Sequence, residues 1–178
     1  HLTKHYQGVF YTPGSFEYEG VNDIDARTHE LFKITESIRN MAFLHHHVAI
    51  IDGIAVVGVN GWYGNSIPTD LITEQQIEDH RHEDISYLKN TLDKLQRHLD
   101  VTNIVIVSNS APSPELYFGE EPSYIGTQLP ISLALLADTE FKVSHWVYGT
   151  YKKIVDTNIN GINYINNGCF DRKPYWPT

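Results

Sequence analysis

The stretch from Val48 to Val59 constrains the fold most tightly. Two β-branched runs, Val48-Ala49-Ile50-Ile51 and Ile54-Ala55-Val56-Val57-Gly58-Val59, flank the pair Asp52-Gly53. A two-residue hairpin turn needs positive φ at both central positions, and Asp-Gly adopts it at little steric cost. An antiparallel hairpin is therefore predicted here. A second run, Asn103-Ile104-Val105-Ile106-Val107-Ser108, is almost continuously β-branched and predicts a strand buried on both faces. Between the two lies the clearest helical pattern, from Thr73 to about Asp100. Ile85, Leu88, Leu92, Leu95 and Leu99 step by three and four residues, with Lys89, Asp93, Lys94 and Arg97 off the stripe. Such a stripe predicts a helix covering a sheet.

The rest of the chain continues the alternation. Gly8 to Thr12 reads as a strand stopped by Pro13-Gly14, and Asp23 to Asn40 as a helix whose apolar positions are Ile24, Leu31, Ile34 and Ile38. A helix is expected from Leu129 to Ala137. Strand pieces follow at Val143–Tyr148, Ile154–Asp156 and Tyr164-Ile165, with Gly161 and Gly168 as punctuation. Strands alternating with helices argue an α/β fold with mixed sheets, outer helices and functional loops at strand ends. At 178 residues and 41% hydrophobic, the chain suits a single domain over residues 1–178.

A formal net charge of −9 disfavours nucleic-acid binding by bulk electrostatics and adhesion to anionic membranes. No apolar run approaches the length of a membrane span, and the first residues hold no signal-peptide core. A single cysteine, Cys169, forbids an intrachain disulfide. A soluble, intracellular (cytoplasmic) protein is the expectation.

Three segments, each after a predicted strand, carry a family resemblance. Tyr11-Thr12-Pro13-Gly14-Ser15-Phe16-Glu17-Tyr18 is similar to a strand followed by Gly-Asn-His-Glu. Val105-Ile106-Val107-Ser108-Asn109-Ser110-Ala111-Pro112-Ser113 is similar to Val-Val-Thr-His-His-Ala-Pro. His145-Trp146-Val147-Tyr148-Gly149-Thr150-Tyr151-Lys152 is similar to Trp-Ile-His-Gly-His-Thr-His. In this order they resemble the later motifs of calcineurin-like metallophosphoesterases. Asp156, Gly161 and Asn166-Asn167 echo the closing strands of that family. The resemblance implies an αββα sandwich of two mixed sheets flanked by helices. It also implies a two-metal site that hydrolyses phosphomonoesters or phosphodiesters, in which a histidine assists the leaving group. The earlier motifs, Asp-x-His and Gly-Asp-x-x-Asp, are absent from the residues ahead of Gly8. The expectation is either that an N-terminal β-α-β portion precedes this sequence or that the fold has been truncated, and the first is favoured because losing central strands would expose sheet edges.

The matching positions depart from the family pattern at all three motifs. Ser15 stands for the ligand asparagine and Phe16 for the catalytic histidine, beside Glu17. Asn109 and Ser110 replace the histidine pair of the second motif; Thr150 and Lys152 replace that of the third. Phenylalanine neither ligates nor transfers a proton, and a lysine ammonium repels a divalent cation. The expectation is a pseudoenzyme: no metal, no cofactor, and a role as a protein-binding or assembly scaffold. Two alternatives stay open. One is a divergent phosphoesterase with a reduced metal site, using Glu17, Asn109 and a divalent metal such as manganese. The other is a metal-free sensor in which Asn109 and Lys152 hold an anion or nucleotide.

Outside these motifs, His45-His46-His47 reads as a surface strand edge, since in a strand only His45 and His47 share a side. His80 and His82, with Asp79, Glu83 and Asp84, read as a solvated helix start; His80 and Asp84 have zinc-helix spacing, but two ligands do not make a site. Ser108, Ser110 and Ser113 lack a nucleophile elbow. Tyr117, Phe118 and Tyr124 in the loop Pro114–Gly126 are candidate interface anchors.

Overall fold

The computed structural model describes residues 5–62, 71–112, 116, 142–149 and 154–167. In chain order the elements are β1 (Val9–Tyr11), a 3-10 turn (Ser15–Tyr18), α1 (Ile24–Glu36), β2 (Met41–Phe43), β3 (His47–Ile51) and β4 (Ile54–Val59). There follow α2 (Glu74–Gln96), β5 (Asn103–Ser108), β6 (Val143–Tyr148), β7 (Ile154–Ile159) and β8 (Ile162–Asn167). A six-stranded sheet runs β3-β4-β5-β6-β8-β7. Its four inner strands are parallel, and the two outer strands are antiparallel to their neighbours. β1 and β2 pair in a separate parallel sheet. The fold is mixed α/β. The expected helix at 129–137 lies outside the described residues, and among those residues no helix is long and apolar enough to cross a membrane.

Local chemistry explains the elements. Asp52 (φ 49°) and Gly53 (φ 80°) make the predicted hairpin turn, and Asn160 (φ 52°) with Gly161 (φ 84°) makes a second one between β7 and β8. Thr73 caps α2: its hydroxyl accepts the Gln76 N–H, while the Gln76 side chain accepts the Thr73 N–H at 2.9 Å. Leu88, Leu92 and Leu95 of α2 pack with Val57, Ile104, Ile106, Trp146 and Tyr164 of the sheet in one apolar core. A second core joins Tyr18, Ile24, Leu31, Phe43, Trp62, Ile72 and Ile77.

Three expectations need correction. α2 ends at Gln96, so Leu99 leaves the stripe and is 95% exposed. In α1 the inward row is Ile24, Leu31 and Thr35, and Ile34 faces outward. Thr35 is tolerated inside because its hydroxyl donates to the carbonyls of Leu31 and Phe32. β5 is not equally buried on both faces: Ile104, Ile106 and Ser108 lie in the core, whereas Val105 and Val107 are only half-buried. Leucines of α2 cover the first face.

One glycine shapes the neighbourhood of the site. Leu44 crosses directly over Gly58 of β4. A Cβ at Gly58 would stand 2.4 Å from the Leu44 Cβ and 2.5 Å from its carbonyl oxygen. The His46 N–H then donates to the Gly58 carbonyl at 3.0 Å. The chain between β2 and β3 is thereby pinned to the sheet.

Candidate functional site

Two places collect the chemistry-bearing residues. The first is where the loops after β1, β5 and β6 meet. The Asn109 N–H donates to the Asn60 carbonyl at 3.0 Å, and the Gly149 N–H reaches the Ser108 and Asn109 carbonyls at 3.2 Å each. The Asn109 side chain lies on Gly14, whose Cα would carry a Cβ only 2.5 Å from Asn109 Oδ1. Glu17 Oε2 accepts the Gly14 N–H at 2.9 Å. Burial and the Glu17 carboxylate together hold the Tyr11 phenol in its protonated form.

The structure thus brings Glu17 and Asn109 to a common point at Gly14. Phe16 is 48% exposed. Ser110 is fully buried, and its hydroxyl finds no hydrogen-bond partner among the described residues. Ser108 Oγ donates to the Ser110 carbonyl at 2.5 Å and accepts the Trp146 indole N–H at 2.8 Å. The Ser15 side chain, Thr150, Lys152, Tyr117, Phe118 and Tyr124 lie outside the described residues.

The second place corrects two expectations. His45-His46-His47 is not an extended surface edge. His46 takes a left-handed backbone, φ 52°, which breaks the alternation that an extended chain would impose. The His45 and His46 rings therefore stack side by side, 4.2 Å between centroids, and His46 stacks in turn on Tyr87 at 4.7 Å. Only His47 enters β3, its Nδ1–H donating to the His45 carbonyl at 2.7 Å. Nor is Asp84 solvated; it is fully buried. Its Oδ2 accepts the Gly61 N–H at 2.7 Å, and its Oδ1 accepts from His46 Nε2 at 2.7 Å. His45 Nδ1 stands 4.0 Å from that same Oδ1.

Donor atoms of His45, His46 and Asp84 all lie within 4.8 Å of one another. His45 and His46 line an open cleft of about 420 Å³ that is also lined by His29, His80 and Glu83, while Asp84 is itself fully buried. His80 Nδ1 pairs with Glu83 at 3.1 Å, and its ring lies 5.6 Å from that of Trp62. Asp84 had one legible signal. It falls on the buried row Ile77, Asp84, Leu88, Leu92, Leu95 of α2, where a carboxylate needs a partner.

Burial lowers the His45 pKa from its ordinary 6.5 to about 4, against the opposing pull of Asp84. The unfolded chain then binds a proton that the folded chain excludes. His45 contributes stability that is present above about pH 6.5 and lost as pH falls towards 4. In chelator-containing buffer, urea titrations at pH 7.5 and 5 are expected to differ by about 2 kcal/mol on this account. A pH difference of the same size in His45→Gln would refute the assignment.

The fold and these sites define a mixed α/β protein with its polar groups gathered where loops leave the sheet. No family model matches the chain, and no curated protein matches it. Among solved structures it is similar to a "Putative 5'-Nucleotidase from Staphylococcus aureus" in complex with alpha-ketoglutarate, with a TM-score of 0.51 and 13% identity. The match covers 90% of this chain and 32% of that one. This chain thus spans about a third of the length of that structure. At such identity the likeness speaks for the fold alone.

Proposed function

We propose that this chain is a non-catalytic phosphoesterase-fold protein of the αββα type that acts by binding a protein partner within a larger assembly. One observation carries the reading. The Asn109 side-chain oxygen, the hard donor retained at the second motif, lies against Gly14, where a Cβ would come within 2.5 Å of it, and the nearby motif positions that hold histidines in the resembled family are here Phe16 and Ser110. Other features agree with it. The Glu17 carboxylate is engaged by the Gly14 N–H and faces the Tyr11 phenol. Phe16 has nothing to donate or accept, and Ser110 is buried. A pair of manganese-type ions does not fit this donor set, so no hydrolytic step is derived through one.

The test is hydrolysis by the purified chain with added manganese. A generic phosphodiester and a nucleoside monophosphate are the substrates, the latter because of the likeness to a nucleotidase. The expected rate equals the blank for both. Manganese-dependent turnover that disappears in Asn109→Ala would overturn the proposal in favour of a reduced-site phosphoesterase. Thermal stabilisation by nucleotides without metal would replace the scaffold with the anion-sensing alternative at Asn109 and Lys152.

A further inference from the structure

We propose that His45, His46 and Asp84 form a mononuclear transition-metal site of the zinc class, separate from the strand-end motifs. The donor set is the first argument. Two imidazoles and one carboxylate suit zinc and its neighbours rather than magnesium or calcium, which prefer oxygen alone. Geometry is the second. Zinc binds nitrogen at about 2.0–2.1 Å and carboxylate oxygen at about 2.0–2.2 Å. A tetrahedral ion at these lengths sets its donor atoms about 3.4 Å apart, a spacing bracketed by the 4.0 Å between His45 Nδ1 and Asp84 Oδ1 and the 2.7 Å between His46 Nε2 and that same oxygen, so side-chain shifts of about 0.7 Å admit it.

A third argument is independent of the cluster itself. His45 is only 8% exposed, yet its Nδ1 has no hydrogen-bond partner among the described residues. A buried ring nitrogen left unpaired is costly, and a metal lone-pair acceptor removes that cost. The Gly61 N–H on Asp84 Oδ2 supplies the outer hydrogen bond that fixes a ligating carboxylate, leaving Oδ1 for the ion. The stacked His46 and Tyr87 rings hold the second imidazole in place.

Loading the site has a defined proton balance. His46 Nε2–H now donates to Asp84 Oδ1 at 2.7 Å. When an ion enters, the Nε2 proton is given up and solvent returns one to Nδ1, so His46 ligates through its Nε2 lone pair as a neutral ring with no net proton released. Three protein ligands leave a fourth position, which faces the cleft beside His80 and Glu83 and is filled by water or a cleft ligand.

The experiment uses the whole chain, freed of metal with chelator and titrated with cobalt(II) and then zinc(II). Expected is one equivalent of cobalt with the intense ligand-field spectrum of a four-coordinate ion, displaced by zinc. His46→Ala, at a half-exposed ring, is expected to weaken zinc at least tenfold. His82→Ala, exposed and outside the cleft, is expected to leave it unchanged. Zinc should raise the Tm of the parent chain but not of His46→Ala, which also shows whether that variant folds. No saturable binding, a six-coordinate spectrum, or equal affinity in His46→Ala overturns the proposal. The strand-end reading is judged separately by Asn109→Ala, which this proposal predicts to bind zinc normally.

Discussion

Asp84→Ala is expected to lower the stability of the metal-free protein by about 3 kcal/mol, the combined cost of a buried donor left unpaired and of a small cavity. For a chain of 178 residues that is a fall in Tm of roughly 10 °C. The reason is positional. Asp84 is fully buried on the inner row of α2, and its two oxygens serve separate partners, the Gly61 N–H and His46 Nε2. Truncation leaves a buried amide unpaired and opens a void beneath the helix. Asp84→Asn keeps an oxygen for Gly61 and should lose less. Thermal and urea melts of the two variants in chelator check the ranking. If Asp84→Ala melts within about 1 kcal/mol of the parent, the carboxylate does not organise this corner of the fold.

Gly58→Val should be comparably severe, at about 3 kcal/mol or more, because the added atoms collide with backbone rather than a movable side chain. The Leu44 carbonyl carbon would lie 2.8 Å from the new Cβ, and β4 is an inner strand that cannot retreat. Relief must come from the segment that crosses it, which carries His45 and His46. Chemical shifts of those two imidazoles should therefore move along with stability. Gly8→Ala, where an added Cβ meets nothing within 4 Å, is the matched control and should stay within about 0.5 kcal/mol. A Gly58→Val protein as stable as its control would mean that Leu44 does not press on the strand.

Much of the fold was legible because it rests on short-range chemistry. Asp52-Gly53 adopts positive φ whatever surrounds it, so its hairpin could be located to the residue. Asn160-Gly161 carries the same signal between β7 and β8, where only punctuation at Gly161 was read. The α2 stripe gave Leu88, Leu92 and Leu95, and failed only at Leu99, where periodicity outran the helix end. β2 escaped notice since Met41–Phe43 is too short to show a period and forms only by pairing with β1. The strand-end residues Glu17 and Asn109 were found by motif order, and Gly14 is where they meet.

The histidine cluster shows where sequence stops. Spacing correctly says that His45 and His46 point apart in a strand, but a strand is not what forms. Leu44 is held across Gly58, the His46 N–H is tied to the Gly58 carbonyl, and His46 is turned into the left-handed region. Asp84 arrives from a helix 38 residues further along. By itself the sequence determined the strands, helices and turns that depend on neighbours a few positions away, because propensity, capping and periodicity are local. Only the tertiary structure decided which histidines share a carboxylate, because that depends on distant backbone crossing at one glycine, Gly58, a contact that no local pattern encodes.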